Sequence, residues 1–391
     1  MRILICGAGV AGLTLAGCLG RQGHDVIVVE RSPRLRDDGY MIDFFGPGFA
    51  VAERLGLMPS LAALHDPVDR LVFADAAGRE RVSVRYDLLR GRLFQGRHFN
   101  FLRGDLENEL FMALPSRRVV QFGLTVVAVD QDRERVRTTL SDGRVVEGDL
   151  LVGADGVHSW IRGLAFGAES RFVRDLGYLA AAFIVDEPPG ALGIGRDVVT
   201  LTAPGHQVAV YPIRKTRVAC FFLRKTTGPV GVSSPTSARS DLVVHYRDFG
   251  GFVPKLLRAA QWAPHMYFDT VAQVVMKSWT ARRVVLLGDA AQSVSLLAGQ
   301  GASMAVAAAW VLAEELGRHE GDLARALARY EARLRPLIDR QQRAGRRLAK
   351  WFVPESRLAL MARDLATRAA VWPLVAPLVR RQLAAADRLA E

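Results

Sequence analysis

The chain opens on an apolar run, Arg2-Ile3-Leu4-Ile5-Cys6, which reads as a strand buried on both faces. Residues 13–21 carry helical spacing, Gly23 stops them, and residues 25–30 form a second strand around Val26-Ile27-Val28-Val29. Apolar strands recur downstream at 149–152 and 283–287, the latter leading into a long alanine-rich helix. Continuous apolar runs divided by helices predict a parallel sheet covered on both faces. The segments between differ in character. Residues 71–86 hold two short strands around Ala76-Ala77-Gly78, and 178–186, 197–202, 207–213 and 217–223 are further strands separated by Pro, Gly and Thr. They predict a mixed or antiparallel sheet, with helices at 240–246 and 254–260 and loops at 191–195 and 226–237. From 322 to 350 the period is helical, with Pro336 expected to kink or divide it; Pro354, Pro373 and Pro377 break the tail into short helices. The fold class expected is α/β: a Rossmann-type domain (1–70, 100–177 and 280–321) interleaved with a mixed/antiparallel β-sheet domain (71–99 and 178–279), then a C-terminal helical segment (322–391).

Gly7-Ala8-Gly9-Val10-Ala11-Gly12 follows the first strand directly, and Glu30, with Arg31 beside it, ends the second strand 21 positions after Gly9. That strand–turn–helix–strand unit is a dinucleotide fingerprint. Gly7 permits the tight turn, Gly9 lets backbone approach a pyrophosphate, Gly12 lets helix pack on strand, and the N–H groups at Val10 and Ala11 open the helix. The glycines also decide against a signal peptide at 3–20, although that stretch is uncharged. Residues 290–313 are uncharged too, but Ser293, Ser295, Gly299, Gln300 and Gly301 suit a turn better than a membrane span. Two more glycine-bearing turns follow apolar strands: Asp155-Gly156 after 149–154, and Gly288-Asp289 after 283–287, the latter continuing to Gly299-Gln300-Gly301-Ala302.

In this order the motifs resemble the class A flavoprotein monooxygenases, the para-hydroxybenzoate hydroxylase-like family that includes tetracycline-inactivating enzymes. The resemblance covers about residues 1–345, and Arg103 in Arg103-Gly104-Asp105-Leu106 matches the family's R-x-x-L segment. It implies FAD, held non-covalently, with NADPH or NADH as co-substrate. By this resemblance Glu30 holds the adenosine ribose and Arg103 the ribityl and phosphate region. Asp155 serves FAD and the reduced nicotinamide, and Asp289 bonds the ribityl chain or pyrophosphate. Backbone at Gly299, Gly301 and Ala302 caps the flavin, and Val126 offers backbone to adenine. The activity implied is oxygenation of an apolar, aromatic or polyketide-like small molecule through a flavin hydroperoxide. A flavin reductase or dehydrogenase on the same fold, or a non-enzymatic flavin- or ligand-binding protein, are the alternatives. The chain departs from the family in Gln292, where histidine is common, and in Ser295-Leu296, where proline is usual.

Candidate substrate contacts are Asp43, Phe183, Tyr211, Phe222 and Gln292, with Met304 as a further apolar candidate; packing roles stay open for each. Tyr211-Pro212 ends a strand of the second sheet and is the best placed. A flavin carries its own chemistry, so no side chain is nominated as catalytic. Eight histidines without metal-ligand spacing and three scattered cysteines argue against a metal site and for a reducing, cytoplasmic setting. Net charge is +12, of which residues 322–391 carry +8, and no basic run has interleaved aromatics. Nucleic acid is therefore not an expected partner. A monomer or homodimer without a transmembrane span is expected.

Overall fold

Arg2–Cys6, Leu150–Gly153 and Val284–Leu286 lie side by side as parallel strands, although almost 300 residues separate the first from the last. The computed structural model describes residues 1–35, 40–226, 228 and 235–370. The parallel sheet has six strands in the order Thr280–Ala281, Val284–Leu286, Leu150–Gly153, Arg2–Cys6, Asp25–Glu30 and Val120–Phe122. Its apolar residues join the helices Val10–Arg21 and Gly301–Arg318 in the largest core. A three-stranded antiparallel sheet, Val126–Gln131, Val136–Leu140 and Val145–Gly148, flanks it.

The second layer is a seven-stranded sheet ordered Tyr267–Val274, Val173–Val185, Arg217–Lys225, His206–Ile213, Val198–Ala203, Arg70–Asp75 and Glu80–Arg85. It is antiparallel except where Val198–Ala203 runs parallel to Arg70–Asp75. One face packs on the helices Pro235–Tyr246 and Val253–Ala260 through a separate core containing Phe183, Phe222, Tyr246 and Leu256. Val173–Val185 runs straight through the domain boundary expected at 177/178. A two-stranded ribbon, Met41–Phe45 with His98–Leu102, lies apart from both large sheets.

Leu323–Phe352 is one helix of 30 residues with Pro336 inside it, so the proline does not divide it in two. Tertiary contact offsets the missing N–H: Tyr330, Leu334, Leu337 and Ile338 around the proline are buried in the main core. Arg357–Ala370 then docks on the edge of the second sheet. Its buried Arg363 lies over the Phe73 ring at 4.8 Å and pairs with Asp364, which also binds Arg81. The expected short helices around Pro373 and Pro377 lie outside the described residues, as does most of the expected loop at 226–237. Among the described residues no helix is long and apolar enough to cross a membrane.

Candidate active site

Parallel strands place their carboxyl ends along one rim, and the three glycine motifs meet there because each follows such a strand. The contacts between motifs are backbone-close. Ala154 N–H donates to the Cys6 carbonyl at 2.8 Å, and Leu287 N–H to the Gly153 carbonyl at 2.9 Å. A Cβ on Gly7 would stand 2.4 Å from the Ala154 oxygen, and one on Gly12 would stand 2.0 Å from the Gly7 oxygen. A Cβ on Gly288 would stand 2.8 Å from that of Ala11. Gly7, Gly12 and Gly288 therefore fit the motifs to one another rather than lining the cleft they frame.

That cleft lies between the rim and the second sheet and holds about 1560 Å³ free of protein atoms, its mouth included. Gly9, Val10, Ala11, Arg103, Asp289, Gly299, Gly301 and Ala302 line one side; Gln207, Tyr211, Phe221 and Tyr267 line the other. The helices Val10–Arg21 and Gly301–Arg318 both start at it, and neither has a side-chain cap or an acidic residue in its first turn. Uncapped N–H groups and the positive end of each helix dipole suit an anionic group. Arg103 stands among them, paired with buried Glu107 at 2.8 Å, a partner that holds the guanidinium above its ordinary pKa against the cost of burial. Solvent reaches Asp289 within the cleft, yet the surrounding walls raise its carboxyl above the usual range; Arg103 and the Ser293 hydroxyl pull it back down. Tyr40 and Tyr267 sit with ring centroids 5.6 Å apart, and burial raises both phenols. Two helix N-termini, one arginine and an aromatic wall fit the phosphates and ring system of FAD.

The other expected cofactor residues are not among those lining the cleft. Glu30 accepts from the N–H groups of Ala8 and Ser32, both at 2.9 Å, which ties the glycine loop to the end of the second strand. Asp155 accepts from the Ser159 hydroxyl at 2.6 Å and from the Trp160 and Ile161 N–H groups, so it caps the helix Trp160–Phe166. Arg31 is exposed, and Val126 is wholly buried in the main core. Among the substrate candidates, Asp43 and Tyr211 line the cleft, whereas Phe183 and Phe222 do not. Those two rings stack on each other at 5.8 Å in the core behind the sheet, on the face away from the cleft. Phe221, one residue away, takes the cleft side because alternate strand residues face opposite ways. Gln292 and Met304 are buried behind the lining, and both amide atoms of Gln292 lack a partner among the described residues.

The sequence reading missed Tyr40, Phe221, Tyr267, Asp269 and Phe352, all on the cleft wall. The strand Tyr267–Val274 carried a usable signal in its β-branched and aromatic residues. It also missed His158, which bonds Glu169 at 3.0 Å and Asp269 at 2.9 Å and so links the Asp155-Gly156 turn to the second sheet. Those carboxylates, Asp269 foremost, push the imidazole up to about 9. Among the described residues no cluster of three or more His, Cys, Asp or Glu forms a metal site.

A Rossmann-type rim thus faces a mainly antiparallel second sheet across one cleft. The chain belongs to the FAD binding domain family, whose profile matches residues 1–343. It is 29% identical over 347 residues to a flavin-dependent monooxygenase of Legionella longbeachae, covering 88% of each chain. The crystal structure of the tetracycline destructase Tet(55) superposes with a TM-score of 0.85 at 26% identity, covering 100% of this chain and 98% of that one. Klebsiella pneumoniae HpxO, solved with FAD and uric acid, gives 0.79 at 25% identity over 98% and 96%. The cofactor is FAD, and the protein is an FAD-dependent oxidoreductase of the monooxygenase class.

Proposed function

We propose that the protein uses NADPH or NADH and dioxygen to oxygenate an apolar aromatic or polyketide-like small molecule. The continuity of the cleft carries this reading, since one cavity is walled both by the phosphate-binding rim and by Tyr211, Phe221 and Tyr267 of the second sheet. Bound FAD supplies electron transfer from the nicotinamide and activation of dioxygen. The chain supplies the rest. The N–H groups at Val10 and Ala11, with Arg103, bind the phosphates, and the N-terminus of Gly301–Arg318 stabilises negative charge near Ala302. Asp289 accepts hydrogen bonds from cofactor hydroxyls. Tyr40, Tyr267, Phe221 and Phe352 keep water from the reacting atoms.

The test is turnover with labelled dioxygen on the FAD-loaded enzyme. A panel of aromatic and polyketide compounds is screened for accelerated NADPH oxidation, and products are analysed for one labelled oxygen atom. Sustained anaerobic product formation, with no label incorporated under air, would move the protein to the dehydrogenase reading.

A further inference from the structure

The stretch of cleft wall that leads into the helix Gly301–Arg318 is held from behind. Ser293, Ser295, Leu296, Leu297 and Gly299 line the cleft. The chain makes one short turn here, Leu296–Ala298, with bonds of its own: Leu297 N–H donates to the Ser295 hydroxyl at 3.3 Å, and Gly299 N–H to the Leu296 carbonyl at 3.2 Å. Ser295 has φ +95°, which an L-residue keeps only where its surroundings impose it. Those surroundings include two buried glutamines, Gln273 in the strand Tyr267–Val274 and Gln342 in the helix Leu323–Phe352, 1% and 6% exposed. Gln273 Nε2 donates to the carbonyls of Val294 at 3.0 Å and Gln342 at 2.8 Å. Gln342 Nε2 donates in turn to the carbonyls of Val274 at 2.7 Å and Ser293 at 3.1 Å. Arg346 donates to Gln273 Oε1 at 2.8 Å, which fixes the way that amide faces. Leu297 joins Ala349 and Val353, at the end of the same helix, in a small core. Burying two primary amides costs desolvation that leucines would not, and a fully bonded amide pair specifies one backbone arrangement in return.

We propose that Gln273 and Gln342 are positioning residues for the flavin. Their amides fix the Ser293 and Val294 carbonyls, and so the direction in which the chain enters the turn and the place of the N-terminus that Gly301–Arg318 offers the cofactor. Neither glutamine lines the cleft, so each acts through the loop. The Ser293 hydroxyl also holds the Asp289 carboxyl down, so the clamp reaches that group as well. The two redox states of FAD feel the clamp unequally. A helix N-terminus favours negative charge, and reduced flavin carries more of it than oxidised flavin. Loosening the clamp therefore weakens reduced FAD more than oxidised FAD and lowers the midpoint potential. A stiffer turn can replace the clamp. Leu296 is the first residue of the turn, where a backbone N–H has no partner within the turn and the φ fixed by proline is helical. Ser295, with ψ +139°, suits the position before a proline. The assignment requires FAD but no substrate, so it stands apart from the oxygenase reading.

The experiment compares wild type with Gln342→Leu, Gln273→Leu and Arg346→Ala, each alone and combined with Leu296→Pro, in the absence of substrate. FAD affinity is read by fluorescence titration, the flavin midpoint potential by dye-coupled titration, and apoprotein stability in urea. Hydrogen exchange at the Leu297 and Gly299 amides reports the order of the turn. Each glutamine variant should weaken oxidised FAD about tenfold and reduced FAD about a hundredfold, which places the two-electron midpoint about 30 mV lower. Both amides should exchange faster in the variant apoproteins. Arg346 is exposed, so its alanine variant keeps the fold and should move affinity in the same direction by about threefold. Leu296→Pro should return FAD affinity to within about threefold of wild type and restore the midpoint, while urea stability stays low because the buried carbonyls remain unpaired. Where a glutamine variant fails to fold, Arg346→Ala with and without Leu296→Pro decides. Wild-type affinity and potential in the folded variants overturn the proposal. So does a loss of affinity that follows urea stability and that Leu296→Pro leaves uncorrected, since a pair that merely docks the helix would give that result.

Discussion

Two glycines of one turn, three positions apart, should respond oppositely to the same added methyl group. At Gly12 a Cβ would stand 2.0 Å from the Gly7 carbonyl oxygen, 3.1 Å from its carbon and 3.3 Å from Ile5 Cγ2. The obstacle is backbone at the end of a central strand, so relief requires helix and strand to separate by more than an ångström. Overpacking costs about 1–3 kcal/mol, and a clash with backbone belongs at or above the upper end. Gly12→Ala should therefore destabilise the apoprotein by about 3 kcal/mol or more. At Gly9 the nearest atoms to a Cβ are the ends of Glu107 and Arg103 at 3.5 and 3.7 Å, and φ is −79°, open to any residue. Gly9→Ala should leave apoprotein stability within about 0.5 kcal/mol, the range for harmless substitutions. Its methyl would stand where the phosphates approach the helix N-terminus. Losing one charged hydrogen bond there, about 1.5–3 kcal/mol, weakens FAD binding roughly ten- to a hundredfold. Urea denaturation of apoprotein and FAD titration by fluorescence separate the two effects. Equal destabilisation by both substitutions, or wild-type FAD affinity in Gly9→Ala, would refute the division of labour drawn for this turn.

The remaining predictions concern the second sheet and its link to the rim. Phe222→Ala removes a ring stacked on Phe183 and set edge-on to Tyr246 at 5.0 Å, so it should cost about 3–5 kcal/mol in chemical denaturation. Phe221→Ala should cost far less stability and instead raise substrate KM; the reverse pattern would mean the strand faces the other way. The His158 bridge raises its imidazole from 6.5 to about 9, so its stabilisation is complete below about pH 6.5 and disappears as pH rises through 9. The residue is half exposed, which limits the effect to about 1 kcal/mol or less. The Tm difference between wild type and His158→Ala should shrink between pH 6 and pH 10, and a constant difference across that range would remove the bridge from the account.

The nucleotide half of the protein was legible because its chemistry is local in sequence. A turn that follows a buried strand carries its strand's position with it, so Gly7-to-Gly12, Asp155-Gly156 and Gly288-Asp289 could be gathered before any contact was known. What locality could not supply was the division of roles inside each motif. Gly9, Val10, Ala11 and Asp289 line the cleft, while Glu30 accepts from the N–H groups of Ala8 and Ser32, and Asp155 from the Ser159 hydroxyl and two helix N–H groups. A carboxylate at the end of a strand reads the same in sequence whether it faces a ligand or caps a helix. Pro336 shows the converse: its local signal allowed a division of the helix, and the packed helix continues past it.

The substrate half was harder to read for a physical reason that the strand Arg217–Lys225 displays. In a half-buried strand, polar residues mark the solvent side and fix which side chains point inward. Here both faces are covered. Val218, Cys220 and Phe222 enter the core against the helices, whereas Ala219, Phe221 and Leu223 face the cleft and the end of the helix Leu323–Phe352. With apolar residues on both sides, hydropathy carries no parity, and choosing Phe222 over Phe221 is a one-residue slip that nothing local corrects. The same strand arrangement explains why Tyr211 could be placed: Pro212 ended the apolar run and marked a position instead of a face. Asp43 was legible for the opposite reason, as a lone acid in the apolar run Met41-Ile42-Asp43-Phe44-Phe45. Its brace was not, because His98 is 55 residues away and is brought near by the register of the ribbon, and Tyr86, which bonds His98, comes from outside the ribbon. A polar residue that interrupts an apolar strand calls for a partner the strand cannot provide, and in this protein that partner is the buried imidazole.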